Sequence, residues 1–270
     1  MRADPSTSFR VKKSLGQNFL MHARIAERIA CAAKLAPDAV VFEIGPGTGM
    51  LTRELLSARG GPASGGKLVK KVIALEADHE LFLRLQTDFA SEIAEDRLEL
   101  MHGDIRAFNI TTLPKGYALV ANIPYYLTGE ILRMFLASSN QPCTMTLLVQ
   151  KEVAERIARS RKESILSLSV KAYGTPKYEF TVPRGAFKPA PNVDSAVLTI
   201  RDISRKNFAS RGEEDLFFKL LHAGFAHKRK FVSKNLSEAG LPVQGIPHRA
   251  RAEDIPLSTW FTLSKSKGWL

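Results

Sequence analysis

From Ala39 onward the chain alternates short runs that are apolar on both faces with amphipathic stretches, and this constrains its fold more than any other feature. Val40-Val41-Phe42-Glu43-Ile44 reads as a buried strand stopped by Gly45, with Met50 to Ala58 as the helix after it. Val72 to Leu75 is a second strand, ending at Glu76 and followed by a helix over His79 to Phe89. Leu98 to Met101 is a third, running into His102-Gly103-Asp104, and Ala118 to Ala121 is a fourth, ending at Asn122. A helix over Thr128 to Leu136, a fifth strand over Thr146 to Val149 and a helix over Lys151 to Arg159 continue the pattern. Strands buried on both faces and separated by helices predict a parallel sheet covered on each side, a doubly wound α/β domain. Ligands of such sheets bind beyond the carboxyl ends of the strands, so Gly45, Glu76, Asp104 and Asn122 are expected around one site.

Two later strands, Tyr178 to Val182 and Ser195 to Ile200, flank the proline-rich loop Pro183 to Asp194. The pattern then turns helical, over Asp215 to Phe225, Lys230 to Ala239 and Leu257 to Leu263, which places a domain boundary near Asp202. The expected organisation is a Rossmann-like domain over residues 1–202 and a small all-helical C-terminal domain over 203–270. Gly60 to Gly66, GGPASGG, reads as a flexible loop between the first helix and the second strand.

Composition narrows the class. With 270 residues, 44% hydrophobic and 24% charged, the chain can bury an ordinary globular core, which excludes collagen and low-complexity disorder. Cys31 and Cys143 cannot form a disulfide framework and no CxxC pair is present, so a reducing compartment and no metal site are expected. Met1 to Lys13 is basic but lacks the apolar core of a secretory signal, and no run approaches the ~20 apolar residues of a membrane helix. A soluble, cytoplasmic protein is expected, with no membrane partner. Net charge is +12, distributed as +4 over residues 1–30, +2 over 31–200 and +6 over 201–270. Basic ends on a nearly neutral body suit a polyanion held at its flanks, since Lys and Arg contacts to phosphate supply most sequence-independent nucleic-acid affinity. A solvated surface that favours solubility is the competing reading.

Glu43-Ile-Gly-Pro-Gly-Thr-Gly49 follows a strand and opens a helix. Glycines there allow a tight turn and close approach of backbone to a ligand. The spacing is G-x-G-x-G rather than the G-x-G-x-x-G of dinucleotide enzymes, a form often found in S-adenosylmethionine enzymes. Gly45 and Gly47 would approach that cofactor, Glu76 would accept from its ribose hydroxyls, and Asp104 would accept from its adenine amine or else cap a helix. Asn122-Ile-Pro-Tyr125 is the most telling segment. An adenine N6 amine is a poor nucleophile because its lone pair is delocalised into the ring. An enzyme that methylates it must accept its hydrogens, here through the Asn122 oxygen and a backbone carbonyl beside Pro124, while Tyr125 stacks on the base. A base extruded from RNA also needs a second face, for which Phe187 is the candidate, with a buried loop anchor as its alternative role.

These residues resemble the ribosomal RNA adenine N6-dimethyltransferases, in particular the bacterial small-subunit branch, from Lys13 to about Leu263. The resemblance is carried by Ser14 to Leu20, Glu43 to Gly49, Asn122 to Tyr125, Leu148 to Glu152, Phe187 to Ala196, Phe225 to Leu236 and Arg251 to Glu253. It implies a seven-stranded S-adenosylmethionine-dependent methyltransferase sheet, contacts from Asn18 and Leu20 to the cofactor, and a helical domain that docks on the ribosomal subunit. It also implies that two adjacent adenosines near the 3′ end of 16S RNA, in the small subunit or its precursor, each receive two methyls, leaving S-adenosylhomocysteine and serving subunit biogenesis. A monomer is the default state. Lys228, Arg229 and Lys230, in a basic helix framed by Phe225, Phe231 and Leu236, are the expected RNA contacts. Departures are the Gly60 to Lys70 insertion, the absence of an aromatic-glycine pair in Glu163 to Ser169, and His227 in the basic segment.

Three alternatives remain at this level. A large-subunit adenine dimethylase is disfavoured by Val193 to Ala196 and by Arg251 to Glu253, and a non-catalytic assembly factor by the intact Asn122, Pro124 and Tyr125. An NAD-dependent dehydrogenase would have no use for the Asn122 to Tyr125 segment.

Overall fold

The computed structural model describes residues 16–58 and 69–265. The GGPASGG loop, Met1 to Lys13, and Ser14 and Leu15 of the N-terminal motif lie outside the described residues. The first half runs β1 (Phe19–Leu20), α1 (Ala23–Ala32), β2 (Val40–Ile44), α2 (Met50–Ser57), β3 (Lys71–Glu76), α3 (His79–Asp88), α4 (Ala90–Ala94), β4 (Leu98–His102) and β5 (Ala118–Asn122). It continues α5 (Thr128–Ala137), β6 (Thr144–Gln150), α6 (Lys151–Ala158), α7 (Ile165–Tyr173), β7 (Thr175–Val182), β8 (Phe187–Lys188), β9 (Ser195–Arg201), α8 (Arg211–Gly224), α9 (Val232–Glu238) and α10 (Leu257–Ser264).

Seven strands form one sheet in the order β4-β3-β2-β5-β6-β9-β7. The five from β4 to β6 are parallel, as the alternating pattern predicts, and β9 is antiparallel to both neighbours. The chain crosses from β6 through α6 and α7 to β7, two places away, and β9 turns back into the gap between them. A strand buried on both faces has the same composition whichever way it runs, so its direction was not written in its residues.

Alternate residues of each strand serve two cores. Phe42, Ile44, Ile73, Leu75, Leu119 and Ala121 face one, while Val41, Val72, Ala74, Ala118 and Val120 face the other, with Ile29 of α1, Leu55 of α2 and Leu85 of α3. Phe217, Leu220, Leu236 and Trp260 of the C-terminal helices belong to the first core. α8 and α10 meet so closely that a Cβ on Gly224 would overlap the ring of Trp260, which is fully buried. Gly224→Ala is therefore expected to cost about 2 kcal/mol through over-packing, read as a lower urea midpoint at unchanged slope.

The chain departs from β2 toward β3 and β4 on one side and toward β5 and β6 on the other, so a crevice opens at the carboxyl ends of β2 and β5. Register aligns that edge. Ile44 pairs with Leu75 and with Ala121, Gly45 N donates to the Leu75 carbonyl at 2.9 Å, and Gly103 N donates to the Glu76 carbonyl at 2.9 Å.

Candidate active site

Gly45, Gly47 and Gly49 all lie in the left-handed region, with φ of 66°, 59° and 75°. An L side chain rarely adopts that conformation, so the loop needs glycine to turn from β2 into α2. Glu76 stands opposite, 5% exposed; its Oε2 accepts from Gly47 N and its Oε1 from Asp78 N, both at 2.9 Å. Burial pushes its carboxyl up and those two N–H groups pull it down. The Ala77 N–H adds a third pull, and of the carboxylate's four lone-pair sites at least one stays open for another donor. Asp78 caps α3, its Oδ1 accepting from Glu80 N at 3.0 Å, and its Oδ2 accepts from Gln17 Nε2 at 3.0 Å. The segment before β1 is thereby tied across the cleft to the start of α3.

Glu43, 1% exposed, also lines the cleft. Burial pushes its carboxyl up to about 8, against the pull of the nearby Thr52 hydroxyl and with a further push from the Glu76 carboxylate. A carboxyl raised in the folded state binds its proton more tightly there than when unfolded. Its stabilising contribution is therefore complete below the unfolded value of 4.5 and disappears as pH rises through about 8. Without ligand, the melting temperature of the native protein relative to Glu43→Gln is expected to fall between those pH values; a pH-independent difference would contradict this.

Asp104 caps the turn over Ile105–Ala107 through Arg106 N at 2.9 Å and forms an ion pair with the Arg106 guanidinium at 2.6 Å, which holds its carboxyl below the usual range. The capping role and the position on the cleft wall are thus both present. Asn122 Nδ2 donates to the Asn18 carbonyl at 3.2 Å, which sets its Oδ1 as the free acceptor arm of the amide. Pro124 closes the following turn, its carbonyl accepting from Leu127 N at 3.0 Å. The Tyr125 hydroxyl is 2.6 Å from Ser195 Oγ, and burial raises its pKa while Ser195 lowers it.

The structure brings Asn18, Leu20, Gly45, Gly47, Glu76, Asp104, Asn122, Pro124 and Tyr125 to one cleft. Phe187 is the exception. It is 5% exposed, pairs through β8 with Leu20 of β1 and joins the second core, outside the cleft lining. Its β1 partner Leu20 belongs to the same core and itself lines the cleft, so Phe187 stands directly behind that wall. Lys228, Arg229 and Lys230 lie in the turn between α8 and α9, which corrects the basic helix expected there, because α9 begins only at Val232. Lys228 and Arg229 are exposed, and Lys230 pairs with Glu238 at 3.1 Å. Gln17, Asp78, Arg106 and Tyr126 were missed; the only sequence signal was that Gln17 falls inside the Ser14 to Leu20 motif.

The cleft fits an adenosyl methyl donor. A Cβ on Gly45 would meet nothing within 4 Å, so the loop leaves open space against bare backbone on the cleft side. Glu76 keeps acceptor capacity beyond its backbone donors, as a hydroxyl-bearing ligand requires, and Glu43 Oε2 is buried with no hydrogen-bond partner among the described residues. No group of His, Cys, Asp or Glu among the described residues is arranged to hold a metal ion.

Comparison with known proteins agrees with this geometry. The family model described as ribosomal RNA adenine dimethylase matches residues 8–267. The chain is similar to ribosomal RNA small subunit methyltransferase A of Dehalococcoides mccartyi strain 195, at 37% identity over 94% of this chain and 87% of that one. It is also similar to the protein of that name in Fusobacterium nucleatum, at 36% identity over 95% and 97%. Among solved structures, the 23S rRNA methyltransferase ErmE superposes with a TM-score of 0.71 at 25% identity, covering 92% of this chain and 98% of that one. A dimethyladenosine transferase from Plasmodium falciparum shares the fold, with a TM-score of 0.72 at 24% identity over 91% and 95%. The chain thus has the fold of a Rossmann-like S-adenosylmethionine-dependent methyltransferase and belongs to the ribosomal RNA adenine dimethylase family.

Proposed function

We propose that the chain dimethylates N6 of two adjacent adenosines near the 3′ end of 16S RNA, in the small subunit or its precursor, as a monomeric cytoplasmic step of subunit biogenesis. The observation that carries this reading is the Asn122 amide, oriented by the Asn18 carbonyl at the carboxyl end of β5 beside the glycine loop. The relatives named for the small subunit, at 36 and 37% identity, support that target over the large-subunit one.

S-adenosylmethionine, when bound, supplies an electrophilic methyl group. The chain's own residues prepare the acceptor. Asn122 Oδ1 takes one N6 hydrogen bond and the Ile123 carbonyl, beside Pro124, takes the other, which withdraws the nitrogen lone pair from the ring. Each transfer forms one N–C bond at the expense of the donor's S–CH3 bond, leaves S-adenosylhomocysteine, and releases one N6 proton to solvent. Tyr125, held by Ser195, gives the base its stacking face, and Phe187 anchors the β1–β8 ribbon that carries Asn18 and Leu20. Catalysis comes from positioning and electrostatics. The unit over residues 203–270 docks on RNA through Lys228 and Arg229.

Methyl transfer from labelled S-adenosylmethionine to small subunits lacking the modification, with large subunits in parallel, tests the target. Label in small subunits alone is expected; label in large subunits alone would reverse the assignment. For docking, replacing Lys228 and Arg229 together by alanine is expected to weaken subunit binding and to reduce the slope of log K against log salt by about one unit per residue. An unchanged slope would remove them from the RNA interface.

A further inference from the structure

Tyr126 is the residue at the cleft that the chemistry above does not use. Tyr125 points its hydroxyl to Ser195, but Tyr126, the next residue, is 58% exposed, more than any other large hydrophobic side chain among the described residues. It lines the mouth of the same cleft. A Cβ on Gly16 would come within 3.0 Å of Tyr126 Cε1 and 3.3 Å of Cδ1, so the ring rests one flank on the bare Gly16 backbone. Gly16 itself has φ +58°. The chain thus has two features, a glycine in the left-handed region and a turn after Pro124, that hold a large aromatic ring outward at the rim. Arg106, whose guanidinium is paired with Asp104 at 2.6 Å, lines the same cleft.

We infer that Tyr126 is the stacking platform for the nucleobase next to the adenine in the pocket. The inference rests on the proposed function and extends it. An RNA strand that delivers one base past Asn122 must carry its neighbour across the rim, and the rim offers that neighbour an open aromatic ring. Aromatic faces accept any base, and stacking on them contributes substantially to single-strand binding. With two adjacent adenosines as substrate, the platform holds one base while the other is methylated, so Tyr126 is a positioning residue for RNA and makes no contact with the donor.

The test compares the native protein with Tyr126→Ala and Tyr126→Phe, using steady-state methylation of small subunits lacking the modification and calorimetric titration with S-adenosylmethionine. Tyr126→Ala is expected to raise KM for the subunit by about tenfold with little change in kcat, because stacking of one base is lost. Tyr126→Phe is expected to match the native protein, since the ring and not the hydroxyl does the stacking. Donor affinity is expected to be equal in all three, which also shows that each is folded. A native KM in Tyr126→Ala, or a Tyr126→Phe as impaired as the alanine variant, would overturn the platform while leaving the reaction itself standing. Failure of the native protein to methylate small subunits would instead strike the proposed function, and the platform would fall with it.

Discussion

Asn122→Ala is expected to lower the single-turnover rate of methyl transfer by about 100-fold or more, the scale of removing one preorganised hydrogen-bonding group from a site where charge shifts in the transition state. The side chain has two arms. Its Nδ2 holds the Asn18 carbonyl at 3.2 Å, and its oxygen is the free acceptor. Alanine removes both, so the adenine amine keeps its lone pair in the ring. Asn122→Asp separates the two roles. It retains an acceptor but sets a carboxylate oxygen against the Asn18 carbonyl, so it is expected to lose donor affinity as well as rate. In Asn122→Ala the glycine loop and Glu76 are untouched, and subunit binding is expected to persist. A rate within about threefold of native would remove Asn122 from the chemistry, since the rate scale for such a group is far larger.

Gly49→Ala is expected to be the most destabilising single-methyl change in the glycine loop. Its φ of +75° is strained for any L side chain, and the new Cβ would sit 2.5 Å from Cε2 and 2.8 Å from Cζ of Phe89. Phe89 cannot retreat, because it is fully buried in the second core and Arg53 lies over its ring at 4.6 Å. Strain and over-packing together suggest a loss of about 3 kcal/mol, read from denaturant midpoints. Gly45→Ala is the informative contrast. Its Cβ would meet no atom within 4 Å, so only the cost of φ +66° applies, about 1 kcal/mol, while the methyl intrudes on the donor's space. Stability lost at Gly49 and donor affinity lost at Gly45 is the expected pair of results. Equal stability losses at both would show that packing against Phe89 does not set the loop.

The strands were legible in sequence because each is a short apolar run ending in a residue with chemistry. Gly45, Glu76, Asp104 and Asn122 could be placed at one edge from that alone, since neighbouring parallel strands align their carboxyl ends. Elements whose local pattern is ambiguous were not. Ile165-Leu-Ser-Leu-Ser-Val170 alternates like a strand but is the start of α7, which the Ser164 and Ser167 capping box sets in motion. The basic run after Phe225 carries helix-forming residues, but α8 ends at Gly224, and Asn235 Nδ2 holds the turn that follows by donating to the Gly224 carbonyl at 2.7 Å and to the His227 carbonyl at 3.2 Å. Phe187 suits both stacking on a base and anchoring a loop, and nothing local signals the pairing with β1 that the fold gives it. Gln17 and Asp78 are 61 residues apart, and no periodicity relates them.

The central claim is that this cleft places two methyl groups on the exocyclic nitrogen of adenine. Mass spectrometry of nucleosides and of RNase fragments, from unmodified small subunits incubated with the native protein and S-adenosylmethionine, tests it most directly. N6,N6-dimethyladenosine is expected at two consecutive positions near the 3′ end of 16S RNA. Methyl groups on a ring nitrogen, on another base, or only singly on N6 would contradict it.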